Sequence, residues 1–582
     1  MILAAAAALA GFLAVYDHDL TGSQVNIAAA AVKRHDPGAF AHDPIYGDSK
    51  LWLFHSPACQ SIMELTLVPT DYQDLLLPYR VGVGVQTLLL LCGMYALLFW
   101  QTRSWSVSVF TAVLGVRLIE VLGGAVWGAG PLASVTPAGL CLAFWPLIVL
   151  AFARISPPEP NMSPLTQWRV ILVFVVVGLL GNFHLVTAMN MTLVLLTAYL
   201  VRHRFSPRCL PVALGSAAAA LIAALPYVWY YFGLFARTTA GHAAPPAETT
   251  FEALRVGELT VLYPELLKSL LDWRVLAGVL VLGIPAVAVL VKVERYITQN
   301  VRLWVGLIAG GAAVSLGLHG ASQLVGSLLG RVPPVIDFVQ ASALLMLPLY
   351  VLLGQAATNL FRLLRTHRTL LRWALAVLLA AWMIPSDNLR IARWRLSELS
   401  TSFLSEEDKP NYVLRHREKE DSRRELAAIA DFAGERPGSM YITDRGEFRI
   451  LARRPIVAGP DDVRYLYYLA PWRLGEWLDR YRRQEELLGP PAGTTDGDAV
   501  ARFVKDLIAQ DQRLADVSDW YVLLRAQTAP KQPGPLEPVE SSDWGRYYKL
   551  YRVGELESPA SGPASGPASD PASGHNTLKT PG

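Results

Sequence analysis

Residues 1–19 read MILAAAAALAGFLAVYDHD, an uncharged apolar segment that ends in an acidic tripeptide. Further apolar segments follow along the chain, and charged residues become dense only between Asp387 and Glu557. Of the 582 residues only 17% are charged, whereas soluble domains usually carry roughly 25%. The pattern predicts a polytopic α-helical membrane protein with an appended soluble domain.

Eleven segments have the apolar composition of membrane helices. They span 1–16, 80–100, 105–126, 135–153, 168–183, 187–201, 209–233, 273–292, 302–320, 335–357 and 370–386. A helix over 1–16 reaches only about 24 Å, which is short of the ~30 Å hydrocarbon core. We expect it to be an uncleaved first membrane helix, which a start codon further upstream would lengthen, rather than a cleaved signal peptide.

Basic residues in the short loops predict the orientation in the membrane. They fall in alternate loops, which we therefore assign to the cytoplasm: Arg103, Arg154, Arg169, Arg202, Arg204, Arg208, Lys292, Arg295, Arg302, Arg362, Arg365, Arg368 and Arg372. The opposite side receives residues 17–79, residues 234–272 and the C-terminal domain. The aromatic-rich 17–79 loop is too long for a simple connection, so we expect short helices that lie on the outer membrane face.

We divide the chain into a membrane domain (1–386, with the structured outer loop 17–79), an extracytoplasmic α/β domain (387–557) and a disordered tail (558–582). In the α/β domain we expect amphipathic helices at 415–432, 465–486 and 498–511, and strands at 439–443, 520–525 and 547–553. Asp461-Asp462 is interpreted as a turn.

Asp17 and Asp19 are the first candidate site residues, because they stand where the first helix leaves the membrane on the non-cytoplasmic side. Two carboxylates at i, i+2 can share a divalent cation or place one base beside a substrate phosphate. The alternative is an ordinary charged helix end that faces water. Asp-x-Asp alone does not decide between the two.

Arg117 and Glu120 lie in the middle of an otherwise apolar segment, where a charge costs about 2.5–3.5 kcal/mol on insertion scales. At i, i+3 spacing they can pair on one face of the helix. Either they neutralise each other and lock helix packing, or they face an outer cavity. In the cavity, Arg117 would meet a phosphate and Glu120 would orient it.

Asn182 and His184 stand in a tight turn on the predicted outer side. They either face the same cavity or satisfy hydrogen bonds within the turn. Arg331 either steers an anionic lipid headgroup or anchors a helix at the interface.

Other site classes find little support. The net charge of +3 makes nucleic acid an unlikely partner, and the four cysteines form no CxxC pair. In the first outer loop, acidic and histidine side chains fit no standard zinc motif, and we expect them to cap short helices. They are His35, Asp36, His42, Asp43 and Asp48.

Several motifs resemble the GT-C superfamily of polytopic glycosyltransferases, in particular a bacterial branch of GT-C-like membrane proteins. They are Tyr16-Asp17-His18-Asp19 after the first helix, Asp36-Pro37 to Asp43 in the outer loop, the Asn182-Phe183-His184 turn, the Glu425–Phe432 helix, the Phe448-Arg449 step and the Tyr521–Leu523 strand. The chain departs from this branch at Val186, where a proline is frequent, and at Gln340-Ala341-Ser342, where an arginine is frequent.

The resemblance implies transfer of a sugar from a polyprenyl-phosphate donor to an envelope glycan or protein, on the outer face of the bacterial inner membrane. It implies that Asp17 is the base or metal-linked acid and that Asp19 assists. If the reaction depends on a metal, the two carboxylates would hold Mg²⁺ or Mn²⁺. Arg117 and Arg331 would meet the donor phosphate, and Glu120, Asn182 and His184 would line the cavity.

Two other functions remain open. One is a non-catalytic GT-C-like scaffold that binds an envelope polymer or partner. The other is a transporter of lipid or polymer, although transporters tend to contain internal repeats and we find none here.

Overall fold

The computed structural model describes residues 23–554 except 48–49, 73, 76, 114–134, 157–162, 244, 261, 272–299, 330–337, 364–368, 371–372, 375–376, 378–396, 406–408, 490–493 and 531–533. The helices predicted at 1–16 and 273–292, and most of those at 105–126 and 370–386, lie outside the described residues. So does the C-terminal tail.

The outer loop begins with two helices, α1 (Ser23–His35) and α2 (Pro57–Leu67), separated by a 3₁₀ segment at Lys50–Phe54. Ser56 caps α2 by accepting a hydrogen bond from the backbone N–H of Cys59, and Pro57 suits the first helical position. Most of α1 is buried, because alanines and valines cover it on all sides. α1 is therefore an internal helix of the protein.

The helical bundle follows. Its helices are α3 (Leu77–Thr102), α4 (Pro137–Ile155), α5 (Pro164–Leu180), α6 (Leu185–Arg202), α7 (Leu210–Thr239), α10 (Val301–Leu328, with a π-helical stretch at Ala313–Leu318) and α11 (Met346–Leu363). Two shorter helices, α8 (Ala247–Val256) and α9 (Tyr263–Leu270), lie between α7 and α10 in the loop over residues 234–272. Among the described residues, six helices are long and apolar enough to cross a membrane, and α5 is a shorter apolar helix. These seven helices confirm the corresponding sequence predictions.

Hydrogen bonds mark the two ends of the bundle. At one end, Ser56 Oγ donates to the carbonyl oxygen of Phe183 at 3.4 Å, and Tyr227 Oη donates to that of Phe54 at 3.1 Å. At the other end, Asn300 Nδ2 donates to Gln101 Oε1 at 3.2 Å. The described helix ends that carry arginines predicted to be cytoplasmic lie at this second end, away from the outer loop.

The C-terminal domain is an α/β sandwich. Its elements are α12 (Asn411–Gly434), β1 (Ser439–Ile442), α13 (Phe448–Ala452), α14 (Asp462–Leu469), α15 (Leu474–Leu488), α16 (Gly497–Gln510), β2 (Asp519–Arg525), β3 (Leu536–Val539) and β4 (Tyr548–Val553). The strand order is β1-β2-β4-β3, with β1 parallel to β2 and the other pairs antiparallel.

Side chains alternate across this sheet, so each strand contributes to two cores. Tyr441 and Tyr521 point to one face, where they meet the apolar stripe of α12. Met440 and Val522 point to the other face, where they join a larger core that includes α1, α14 and the outer loop. The outer loop and the C-terminal domain are thus one folded unit at the outer end of the bundle.

Two predictions for this domain need correction. The helix predicted over 465–486 is two helices, because Pro471 has no N–H to donate and disfavours a helical residue before it. The short strand β3 was not predicted, since it has only four residues and contains a proline.

Candidate functional site at the outer junction

Of the residues proposed from the sequence, five lie outside the described part of the chain: Asp17, Asp19, Arg117, Glu120 and Arg331. Asn182 and His184 are described. They occupy the turn between α5 and α6, at the end of the bundle that meets the outer loop.

The side chain of Asn182 forms hydrogen bonds with the backbone of helix α7. Pro226 lies inside α7, where a proline disrupts the backbone ladder. The Asn182 side chain bonds two backbone groups beside this proline, because its Nδ2 donates to the carbonyl oxygen of Ala223 at 2.9 Å and its Oδ1 accepts from the N–H of Tyr227 at 3.1 Å. The amide therefore ties the α5–α6 turn to α7, a structural task that occupies both of its polar atoms.

His184 is the N-cap residue of α6. Its Nδ1 accepts a hydrogen bond from the backbone N–H of Thr187 at 3.2 Å and lies 2.8 Å from Thr187 Oγ1. Burial, with a smaller contribution from the Arg464 guanidinium, lowers the pKa of His184 to about 4. The ring is therefore neutral at physiological pH, with Nδ1 serving as an acceptor.

A second histidine, His55, lies nearby and was not singled out from the sequence. Burial lowers the pKa of His55 to about 3, and the charges of Arg464 and His184 lower it further. Its Nε2 is 3.0 Å from Tyr465 Oη, which is 2.9 Å from Tyr46 Oη. A single His in a loop rich in aromatic residues gives no signal of this position, because its partner Tyr465 is 410 residues away in sequence.

The chain of hydrogen bonds continues into α1. Tyr46 Oη lies 3.1 Å from Asn26 Oδ1, and Tyr46 and Asn26 are both buried. The series Asn26, Tyr46, Tyr465 and His55 therefore connects α1, the outer loop and α14 through polar atoms inside an apolar core. Buried networks of this kind hold their members in one arrangement when every link is made.

Arg449 forms the strongest contact of the junction. Its Nε donates to Asp43 Oδ2 at 2.8 Å, and its Nη1 and Nη2 donate to the two carboxylate oxygens of Asp462 at 2.7 and 2.9 Å. The side chains of all three residues are at most 2% exposed. Burial raises the pKa of Asp43, and the Arg449 guanidinium offsets only part of this rise.

The turn interpretation of Asp461-Asp462 is wrong for Asp462, which begins α14 and lies in the buried ion triad. Asp43 Oδ1 accepts from the N–H groups of Ile45 and Tyr46, but these residues form a turn, so the helix cap expected at Asp43 is not observed. The sequence contained little signal for Arg449, since other charged residues, Glu447 and Arg453, lie close to it along the chain. Its partners were not predictable, because Asp43 is 406 residues away.

Metal binding has no support within the described ranges, where no group of three or more His, Cys, Asp or Glu side chains converges. His35 stacks on Tyr72 with ring centroids 3.9 Å apart, and His42 Nδ1 lies 3.2 Å from the carbonyl oxygen of Arg513. Asp17 and Asp19, the carboxylates predicted to hold Mg²⁺ or Mn²⁺, are outside those ranges.

No family model matches this sequence, and no curated protein matches it. Among solved structures, the chain is similar to the crystal structure of ArnT from Cupriavidus metallidurans bound to undecaprenyl phosphate. The TM-score is 0.44 and the sequence identity 10%, over 96% of this chain and 98% of that chain. A similarity of this size carries no argument about fold family, activity or ligand.

Proposed function

We propose that the protein is a membrane glycosyltransferase that transfers a sugar from a polyprenyl-phosphate donor to an envelope glycan or protein. The observation that carries the proposal is the position of α1, buried between the outer ends of the membrane helices and the C-terminal domain. Tyr79 Oη donates to the carbonyl oxygen of Gln24 at the bundle, and Asn26 faces Tyr46 on the other side.

The acidic motif precedes α1 directly in sequence. Only three residues separate Asp19 from Ser23, and the four Cα–Cα steps between the two span at most about 14 Å. In the proposal the motif acts at the junction, where a lipid-linked headgroup and a polar acceptor would meet at the membrane surface. That location suits a base that acts on an acceptor hydroxyl.

In the proposed reaction, the hydroxyl oxygen of the acceptor attacks the sugar carbon while Asp17 accepts the hydroxyl proton. The bond between that carbon and the phosphate oxygen breaks, and the donor phosphate leaves. Asp19 and Glu120 assist and orient, and Arg117 and Arg331 stabilise the negative charge of the leaving phosphate. Because the polar atoms of Asn182 and the Nδ1 of His184 are engaged inside the fold, we assign them the positioning of the α5–α6 turn.

The test is lipid-linked sugar turnover in purified membranes that contain the wild type or Asp17→Asn. Loss of a general base typically lowers the rate by about 10²–10⁴-fold, and we expect a loss of that order at equal expression. Asp36→Asn is the matched control, because Asp36 is exposed in the same loop and an asparagine can still accept from the N–H of Gly38. Chelation by EDTA in the same assay tests for Mg²⁺ or Mn²⁺.

A non-catalytic scaffold is the second candidate, and one observation favours it. The two described site residues use polar atoms within the fold: Asn182 on the interior of α7 and His184 on the start of α6. A scaffold predicts that Asp17→Asn changes neither turnover nor envelope phenotype. Equal turnover in wild type and Asp17→Asn would therefore replace the enzyme proposal with this one.

A further inference from the structure

A cleft of about 270 Å³ opens where three parts of the chain meet at the C-terminal end of α7. The last turn of α7 contributes Arg237, the 3₁₀ segment of the outer loop contributes Lys50, and the connection between α14 and α15 contributes Trp472 and Arg473. This volume is below the roughly 300–1,000 Å³ of drug-sized ligand sites, so the cleft suits a small group rather than a large ligand.

The cleft is positively charged. Three of its lining residues are cations and, among the described lining residues, none is acidic. Arg237 and Lys50 are exposed, and no carboxylate of the described ranges lies within salt-bridge distance of either. Lys and Arg side chains that converge in this way favour an anionic ligand.

Two neighbouring groups fix the position of the Arg473 side chain. Its Nη1 donates to the carbonyl oxygen of Pro44 at 3.0 Å, and its Nε lies 3.6 Å from Glu476 Oε2. The other oxygen of Glu476 is 2.6 Å from Arg480, which also lies 3.7 Å from Asp511 Oδ2, and Asp511 in turn pairs with Arg513, so two carboxylates face three guanidinium groups. Burial lowers the pKa of Arg473, which Glu476 opposes, and Arg513 and Arg480 lower it further. An anion would offset this excess of positive charge.

The cleft lies at the C-terminal end of α7, which belongs to a segment long and apolar enough to cross a membrane. Trp229 and Phe232, two turns and one turn before the cleft, are 78% and 62% exposed, as expected for aromatic side chains near the lipid interface. Trp472 stacks on His242 with ring centroids 4.1 Å apart and gives the cleft a rigid wall.

We propose that this cleft binds a phosphate group presented at the outer membrane surface, with Lys50, Arg237 and Arg473 as its ligands. The phosphate belongs either to a lipid headgroup or to a water-soluble ligand, since the same three cations recognise both. The proposal goes beyond the proposed function, because phosphate binding does not require turnover.

The test uses the full-length protein and the double variant Lys50→Gln/Arg237→Gln. In detergent, titration with inorganic phosphate measures binding of the free anion. In nanodiscs of phosphatidylcholine with or without phosphatidic acid, native mass spectrometry measures retained phosphatidic acid. We expect the double variant to lose about tenfold or more in affinity for whichever probe the wild type binds.

Two control variants test whether a loss of phosphate binding is specific to the charges of the cleft. Arg502→Gln/Lys505→Gln removes two exposed cations from α16, away from the cleft, and we expect it to bind like the wild type. Lys50→Arg/Arg237→Lys keeps both charges, and we expect it to retain binding.

Selective retention of phosphatidic acid identifies a lipid headgroup, whereas binding of inorganic phosphate alone identifies a soluble ligand. The proposal is overturned if the wild type binds neither probe, or if Lys50→Gln/Arg237→Gln binds as well as the wild type. Phosphate binding that persists in Asp17→Asn after turnover is lost would separate this site from the catalytic proposal.

Discussion

At the scale of single residues, Arg449 has the greatest structural weight. One guanidinium satisfies carboxylates from the outer loop and from α14, and all three groups are withdrawn from water. Two buried carboxylates share this single cation, so its removal leaves both without a counter-charge and lowers the free energy of unfolding. Asp43 also accepts a hydrogen bond from the backbone N–H of Ile456, which attaches the segment that follows α13 to the same carboxylate.

We expect Arg449→Met to lower the free energy of unfolding by about 3–5 kcal/mol, because it leaves Asp43 and Asp462 buried without a counter-charge. Thermal unfolding of the purified protein in detergent measures the loss. Arg525→Met is the control, since the pair of Arg525 with Asp444 is substantially exposed and should be worth about 1 kcal/mol or less. Similar losses in the two variants would argue against a special role for the triad.

At the scale of elements, α5 and α7 form one of the tightest helix pairs of the bundle. A side chain on Gly178 in α5 would collide with the carbonyl oxygen of Ala220 in α7. Glycine at this position lets the two backbones approach, as small residues commonly do between membrane helices. A few residues further along, Asn182 joins the same two helices beside Pro226.

Gly178→Ala should destabilise the bundle by about 1–3 kcal/mol, because the helices must separate to admit the added methyl group. Gly233→Ala in α7 is the comparison, since a Cβ there meets nothing within 4 Å. It should leave stability unchanged or raise it slightly, as alanine favours helix over glycine by about 1 kcal/mol. The free energies of unfolding of both variants, measured in the same detergent, test this prediction. A loss of stability in Gly178→Ala no larger than that in Gly233→Ala would contradict close packing at Gly178.

At the scale of the whole molecule, the outer loop and the C-terminal domain must lie on the same side of the membrane, because they share a core and the Arg449 triad. Three tyrosines near the end of α7 reinforce this arrangement. Tyr227 and Tyr230 donate to carbonyl oxygens of the outer loop, and Tyr231 donates to that of Tyr468 in α14.

Single cysteines at exposed positions test this sidedness in a background that lacks Cys59 and Cys92. In intact spheroplasts, a membrane-impermeant maleimide should label Asp36→Cys and Lys505→Cys, and it should label Arg208→Cys only after lysis. Labelling of positions 36 and 505 from different sides would contradict the shared core. Labelling of Arg208→Cys alone in intact spheroplasts would instead invert the predicted orientation.

The candidate site was only partly predictable from the sequence. The Asn182-Phe183-His184 turn was predicted as a turn between two apolar helices, because hydropathy locates it, and the structure has a turn there. The role of Asn182 was not predicted, since it depends on Pro226, which hydropathy merges into a continuous apolar segment. The cationic cleft was also missed, because Lys50, Arg237 and Arg473 come from three distant segments and each resembles an ordinary surface charge.

The sequence by itself determined the local structure: the apolar helices, the apolar stripe of α12 and the strands β1, β2 and β4. These depend on hydrophobic periodicity and composition within a short window. Only the tertiary structure decided that α1 is buried, that Asp462 is part of an ion triad, and that the outer loop and the C-terminal domain form one unit. Those facts rest on contacts between residues hundreds of positions apart, for which a single sequence contains no local signal.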